Sequence, residues 1–236
     1  MGYRAGVATE REPGAAARRA MIEVAERLYA ERGINGVSLR EIGAAAGQRN
    51  TAAARYHFGT KQGLVDAVFE HRMVPINARR LALLDELDAT GRGHGLPGLA
   101  EAFLLPLAEE LGEVGRPSFY LRFATQAGYV DGAAPSDLAR QPWTHGILVV
   151  RERFDAVLAE ADLPTEVRTD RWTLFSGHFA HALAGRELLQ QEGRLAGLSE
   201  RGVFLAGLLD TGIALAAAPV SDRTRSLLAT AHRRHA

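Results

Sequence analysis

Apolar residues recur at intervals of three and four positions along most of the chain, whereas strict alternation of apolar and polar residues is almost absent. Intervals of three and four place side chains on one face of an α-helix, and alternation would instead indicate β-strands. The first periodic segment, 15–32, is followed by Gly33, a residue type that often ends helices. The pattern therefore predicts an all-α protein.

Two short helices are predicted directly after the first one. Ser38 and Glu41 have the spacing of a capping box, in which each side chain accepts the backbone N–H of the other residue at a helix start. Gly47 is placed to end this helix, because glycine adopts a positive φ without strain. After a polar turn, a second short helix is predicted from Thr51 to about Phe58.

Longer helices are predicted over the rest of the chain, separated by connections rich in glycine and proline. Thr60 can cap the first of them, and Pro75 is expected to kink or end it, since proline has no N–H to donate. The last residues, 221–236, form a short basic segment. The other periodic segments are 76–89, 98–111, 118–130, 142–161, 165–192 and 199–217.

Composition and charge narrow the class of protein. The 236 residues carry 28 basic and 28 acidic side chains, although residues 1–72 carry 11 basic against 8 acidic ones. The absence of cysteine excludes disulfides and thiolate chemistry. No stretch approaches the roughly 20 apolar residues that a membrane span needs, and no signal-peptide core is apparent. We therefore expect a cytoplasmic protein without a membrane partner.

Three helices in the first 58 residues, of which the last two are short and joined at a glycine, describe a helix-turn-helix unit. In such a unit the second short helix enters the major groove of DNA. Its polar side chains can reach base edges or phosphates. These candidates are Asn50, Thr51, Arg55, Tyr56 and His57.

The segment 37–47 (VSLREIGAAAG), the run 56–61 (YHFGTK) and Leu64 resemble the tetracycline-repressor (TetR) family of bacterial transcriptional regulators. The resemblance covers 15–71, and the remainder agrees only in length and helical pattern. It implies a homodimer that binds a double-stranded DNA operator. It also implies that a small molecule of unknown identity changes the DNA affinity by entering the C-terminal domain.

The resemblance also implies roles for particular residues. Arg40 would contact DNA from the first helix of the motif, and Tyr56 and His57 from the second. Thr60 and Lys61 would hold a phosphate, and the unpaired N–H groups at the start of their helix independently favour an anion there.

This chain departs from the common family pattern in one place. The stretch before the run 56–61 is one residue longer, and Arg55 stands where many members have tyrosine. The expected DNA contacts include the turn residues Gln48 and Arg49. Two alternatives stay open: Tyr56 can instead pack against the first helix, and Arg55 can be a solvated surface residue.

We expect an N-terminal arm (1–14), a DNA-binding domain (15–60), a ligand-binding and dimerisation domain (61–219) and a C-terminal tail (220–236). A helical domain of this size can surround a cavity. The aromatic candidates also fit ordinary core packing, the arginine can instead pair with a carboxylate, and the histidine can face solvent or the partner subunit. The candidates are Phe103, Arg122, Phe123, Gln126, Trp143, Phe175 and His178.

The last two long helices carry small and apolar residues at intervals of three and four positions. Two such helix pairs related by a two-fold axis would form a four-helix dimer interface. Intramolecular core is the alternative for some of these positions. The predicted interface residues are Gly177, Ala180, Ala184, Leu188, Leu205, Leu208, Gly212 and Leu215.

The sequence and the family resemblance thus predict a homodimeric transcriptional regulator, a repressor more often than an activator, that a small molecule releases from a palindromic operator. No HExxH, P-loop or GxSxG pattern occurs, so we expect no enzyme activity, no cofactor and no metal. Two alternatives come from other classes of protein. One is an enzyme built on a helical bundle, and the other is an architectural DNA-binding protein without an effector.

Overall fold

A computed structural model describes residues 12–50, 52–113, 117–130 and 141–235. Within these ranges the chain forms ten α-helices and one 3₁₀ turn, which confirms the all-α prediction. The helices are α1 (Glu12–Arg32), α2 (Leu39–Ala45), α3 (Ala53–Phe58), α4 (Lys61–Ala89), α5 (Leu96–Ala108), α6 (Tyr120–Val130), α7 (His145–Glu160), α8 (Thr165–Gln191), α9 (Arg201–Ala217) and α10 (Asp222–His235); the 3₁₀ turn (Pro142–Thr144) directly precedes α7.

The long helix α4 corrects one prediction. Pro75 does not end the helix, and the two segments predicted on either side of it are one helix of 29 residues. Proline removes one helical hydrogen bond, but apolar side chains on both sides of it, including Met73 and Ile76, are buried against the core. This packing continues through the proline, so α4 runs from the helix-turn-helix unit into the rest of the chain.

A second proline lies inside a helix and explains a buried charge. Pro106 of α5 has no N–H to donate to the carbonyl of Ala102, four residues earlier. Arg80 of α4 is fully buried, and its Nε donates to that carbonyl at 3.1 Å. Its Nη1 donates to Asn77, and burial lowers the pKa of Arg80 to about 10. The guanidinium therefore replaces the missing helical bond and joins α4 to α5.

The centre of the helical region is an aromatic cluster from α5, α7 and α8. Phe154 and Phe175 have ring centroids 4.8 Å apart, and Phe175 and Phe179 are equally close in an edge-to-face arrangement. Phe103 and Trp172 complete the cluster. Aromatic pairs at these distances stabilise a core beyond the area that they bury.

The C-terminal residues predicted as a tail form the helix α10. Its only large apolar side chain at the surface is Leu227, which is 62% exposed, and His232 contacts Glu166 of α8 at 2.7 Å. Among the described helices, no single one is long and apolar enough to cross a membrane, although α9 taken together with Asp222–Arg233, at a bend of 51°, meets the length and composition criteria.

Candidate nucleic-acid interface

The helix α2 begins at the predicted capping box. The Oγ of Ser38 accepts the N–H of Glu41 at 3.2 Å, and the Glu41 carboxylate accepts the Ser38 N–H at 2.8 Å and its hydroxyl at 2.7 Å. Hydrogen bonds to the ionised carboxylate favour its charged form. The bonds from Ser38 therefore hold the pKa of Glu41 below its ordinary value. The capping box is confirmed, and it determines where the motif starts.

A Schellman motif ends α2 at the predicted glycine. Gly47 has a φ of 73°, and its N–H donates to the carbonyl of Ala44 at 3.0 Å. The N–H of Gln48 donates to the carbonyl of Gly43 at 2.9 Å. These two bonds satisfy carbonyls that α2 itself leaves free. Because residue 47 is left-handed, the chain turns sharply before α3.

The helix α3 begins at Ala53, two residues later than predicted. The Oδ1 of Asn50 accepts the N–H of Ala52 at 2.9 Å, and the Asn50 carbonyl accepts that of Ala53 at 3.1 Å. Ala54 is fully buried and faces Gly43 of α2. The two short helices approach closely because small residues meet between them.

The outer face of α3 is polar and open to solvent. Tyr56 is 85% exposed despite its large aromatic ring, and Arg55 is also exposed. His57 is half-buried, with its ring edge-on to Tyr56 at a centroid distance of 5.3 Å. The exposure of Tyr56 excludes the alternative in which it packs against α1. These side chains are the types that contact base edges and phosphates.

Phe58 and Arg18 attach the end of α3 to α1. Phe58 is half-buried against the core, and the guanidinium carbon of Arg18 lies 5.3 Å from its ring centroid. This distance is within the range of a cation–π contact. The contact restrains α3 from the inner side and leaves its outer face free.

The start of α4 presents a cation beside free N–H groups. The Oγ1 of Thr60 accepts the N–H of Gly63 at 3.0 Å, as predicted for a helix cap. The Nζ of Lys61 donates to the carbonyl of Ile34 at 3.0 Å. An ammonium group has three N–H donors, so two remain for another acceptor. The bond to Ile34 holds the Lys61 charge at a helix N-terminus, where anions are favoured.

None of the predicted DNA contacts within the described ranges is buried. Thr51 lies outside the described residues. The half-buried residues are Gln48, His57 and Lys61, and the exposed ones are Arg40, Arg49, Asn50, Arg55, Tyr56 and Thr60.

The aromatic residues predicted to line a ligand site pack within the chain. Phe103, Phe123 and Phe175 are at most 3% exposed. Trp143 is half-buried and stacks on Phe69 with ring centroids 5.9 Å apart. In this structure, all four therefore have packing partners inside the subunit.

Two polar residues predicted to contact a ligand also have partners inside the chain. The Nε2 of Gln126 donates to the carbonyl of Ala30 at 2.9 Å, which joins α6 to the last turn of α1. The Nε2 of His178 lies 2.8 Å from the Thr211 hydroxyl, between α8 and α9. These bonds hold helices together, and a ligand at either group would compete with them.

Arg122 pairs with a carboxylate, as its alternative interpretation proposed. Its Nε lies 3.5 Å from the carboxylate of Glu187, and its Nη2 donates to Gln191. The same carboxylate accepts the backbone N–H groups of Leu121 and Arg122 at 3.2 and 3.1 Å. Burial raises the pKa of Glu187 to about 7. A carboxylate from α8 thus caps the start of α6.

Three of the residues predicted at a dimer interface are buried inside the subunit. Ala184 and Leu208 belong to the core, and a Cβ at Gly212 would overlap the ring of Phe179. These three positions therefore belong to the core of the chain itself, which was the alternative to a dimer interface. The remaining predicted residues, which are half-buried or exposed, are Gly177, Ala180, Leu188, Leu205 and Leu215.

A salt-bridge network that was not predicted from the sequence joins α1, α4 and the turn after α5. Two nitrogens of Arg72 donate to the buried Glu26 carboxylate at 2.7 and 2.8 Å. A third donates to Glu110 at 3.0 Å. The sequence contains one indication of it, because Glu26 lies four residues after Ile22 and three before Tyr29, on the apolar face of α1.

Comparisons with known proteins give one family match and several similar structures. Residues 21–68 match the family described as bacterial regulatory proteins, tetR family. A putative TetR-family transcriptional regulator from Mesorhizobium loti covers 86% of this chain and 94% of its own at 18% identity, with a TM-score of 0.46. A TetR-family regulator from Streptomyces coelicolor covers 89% and 99% at 18% identity, with a TM-score of 0.36. Among curated proteins, none matches the chain.

Proposed function

We propose that this chain is a DNA-binding transcriptional regulator of the TetR family and acts as a homodimeric repressor, because residues 21–68 match the family described as bacterial regulatory proteins, tetR family. A small molecule releases it from a palindromic operator in the cytoplasm. The observation that carries this proposal is the exposed polar face of α3, where Tyr56 is 85% exposed.

In the proposed complex, α3 lies in the major groove. Arg55, Tyr56 and His57 face the bases, because they occupy the outer side of that helix. Arg40 on α2 and Lys61 at the start of α4 contact phosphates on either side of the groove. Phosphate contacts of this kind orient the protein, and the base contacts select the sequence.

A dimer follows from the small size of α3. Six residues offer too few base contacts to select a site alone. Two copies would place their recognition helices in successive major grooves about 34 Å apart. Exposed apolar side chains on α8 and α9 support an interface there, since Leu174 is 59% and Val203 66% exposed. We assign 15–60 to DNA binding and 61–219 to effector binding and dimerisation.

Release by an effector requires a physical connection between the two parts of the chain. The helix α4 begins at the DNA-binding surface and extends to Ala89. Arg72 on α4 is bonded to α1 through Glu26, and Gln126 on α6 is bonded to α1 through Ala30. A ligand that binds between the later helices shifts DNA affinity by its differential affinity for the two conformations.

The experiment is a titration of DNA from the protein's own promoter region, followed by fluorescence anisotropy at several salt concentrations. We expect specific binding that weakens steeply as salt increases, because phosphates supply much of the affinity. Binding that is equal for promoter and unrelated DNA would reject the operator and favour an architectural protein. Sedimentation of the free protein tests the dimer separately.

A further inference from the structure

The connection between α8 and α9 encloses a half-open pocket of about 310 Å³, which we call the turn pocket. Two arginines, Arg186 and Arg201, line it together with three leucines, Leu111, Leu195 and Leu198. Pockets of this volume are at the lower end of the range that proteins use for small ligands. The turn pocket is therefore a candidate site with a charged side and an apolar side.

Arg186 carries a buried charge with few partners. The residue is 8% exposed, and its guanidinium lies 5.0 Å from the ring centroid of Phe204. Its Nη2 donates to the neutral carbonyl of Ser199 at 2.6 Å. Within the described part of the chain, no carboxylate lies within ion-pair distance of this guanidinium, and its one hydrogen-bond acceptor is neutral. A guanidinium that lines a pocket without a paired anion can receive an anionic ligand there.

Arg201 adds a second cation to the same pocket. Its Nη1 donates to the carbonyl of Leu111 at 3.2 Å, and its Nη2 donates to that of Ala108. Both acceptors are neutral, so these bonds position the guanidinium without neutralising it. Arg201 is also the first residue of α9, whose N-terminus has no side-chain cap. The free N–H groups there add to the preference for an anion.

We propose that the turn pocket binds a small organic carboxylate. Arg186 and Arg201 hold the carboxylate group, for which the planar guanidinium is well suited. The three leucines contact a short apolar body, and Leu198 is 48% exposed without such a ligand. This site is separate from the DNA-binding surface, so the proposal does not rest on the proposed function.

One acidic residue, Glu200, also lines the turn pocket. It is exposed and forms no side-chain bond to the N-terminus of α9. With two arginines and one glutamate, the pocket keeps a net positive charge. Glu200 opposes the ligand, so Glu200→Gln is expected to strengthen carboxylate binding severalfold.

The test uses the full chain without DNA and hexanoate as the probe. Thermal unfolding at constant ionic strength should show a saturable increase in Tm with hexanoate, since a ligand of the folded state stabilises it. Isothermal titration calorimetry should give one site per chain. Inorganic phosphate and hexanol, which have only a charged or only an apolar part, should bind more weakly. No saturable binding of hexanoate, or equal binding of all three compounds, would overturn the proposal.

A surface variant tests the location. Leu198→Glu places a negative charge at an exposed position of the pocket, so it should leave folding intact and weaken hexanoate binding about tenfold or more. Leu227→Glu is the matched control, because Leu227 is 62% exposed on α10 and lies outside the pocket. Unchanged affinity in the Leu198 variant, or equal losses in both variants, would place the bound hexanoate elsewhere and reject the site.

Discussion

The helix-turn-helix unit and the helical region that follows it use polar side chains in opposite ways. On α2, the turn and α3, capping bonds between residues close in sequence set the geometry, and side chains such as Arg55 and Tyr56 remain exposed. In the later helices, polar groups such as Arg80 and Gln126 are bonded to carbonyls of neighbouring helices. The first region can therefore offer its side chains to a partner, whereas the second uses them to hold its own helices.

Substitutions in the two regions should therefore affect different properties of the protein. In the proposed complex, a substitution on the outer face of α3 would remove contacts to DNA and change little inside the protein. A substitution at a bonded polar group of the helical region leaves its partner buried without a bond, which carries a large desolvation penalty. The following substitutions test this contrast in order of decreasing effect.

Arg72→Met should have the largest effect. Glu26, its partner on α1, has a side chain only 4% exposed, and removing one member of a buried ion pair costs roughly 3 to 5 kcal/mol. Urea unfolding should show this loss. Arg79→Met on the same helix is the control, since Arg79 pairs at the surface and should cost less than about 1 kcal/mol. Similar losses in the two variants would show that the buried Arg72–Glu26 pair stabilises the fold no more than a surface pair does.

Gly212→Ala should destabilise the fold by roughly 1 to 3 kcal/mol, because the added methyl group overlaps the ring of Phe179. Gly207→Ala on the same helix has no atom within 4 Å of the added methyl group. It should raise the free energy of unfolding by about 1 kcal/mol, since alanine favours helices. Thermal unfolding of both variants measures the difference, and equal Tm values would disprove the close approach.

Tyr56→Ala should weaken operator binding by roughly 1 to 3 kcal/mol while leaving the free energy of unfolding unchanged. The two readouts are anisotropy with promoter DNA and urea unfolding. Leu227→Ala, another exposed large residue, should change neither. Wild-type DNA affinity in the Tyr56 variant would remove this residue from the interface.

Ser38→Ala should have the smallest of these four effects, a loss of about 1 kcal/mol in the free energy of unfolding, because it removes the N-cap of α2. The pKa of Glu41 is lowered by bonds from Ser38. The stability from these bonds is therefore present above the ordinary pKa of a glutamate and is lost as pH falls. Urea unfolding at neutral and acidic pH should show that the variant loses less stability on acidification than the wild type. An unchanged acid dependence would argue against the capping box.

The local features of the helix-turn-helix unit could be predicted because neighbouring residues determine them. A capping box needs two residues three positions apart, and a left-handed turn needs one glycine. Ser38, Glu41 and Gly47 therefore identified the boundaries of α2 from the sequence alone. The prediction for the start of α3 was less accurate. The Asn50 side chain accepts the N–H of Ala52, and this local bond competes with helix formation before Ala53.

The interior of the helical region could not be predicted in the same way. Pro75 does not end α4, because side chains distant in sequence pack on both sides of it. The partner of Ala102 is Arg80, 22 residues away, and no local pattern indicates that pairing. Periodicity predicted that Gly212 lies on one face of a helix, but it could not indicate that the ring of Phe179 packs against this residue.

The carbonyl of Ala30 belongs to the last turn of α1, where an α-helix has no N–H of its own left to offer. Gln126, 96 residues later in the chain, supplies the donor. If α6 moved away, this carbonyl would need a water molecule in its place. Exchange of the Gln126 side-chain N–H hydrogens would consequently register displacements of α6, even in an experiment without DNA.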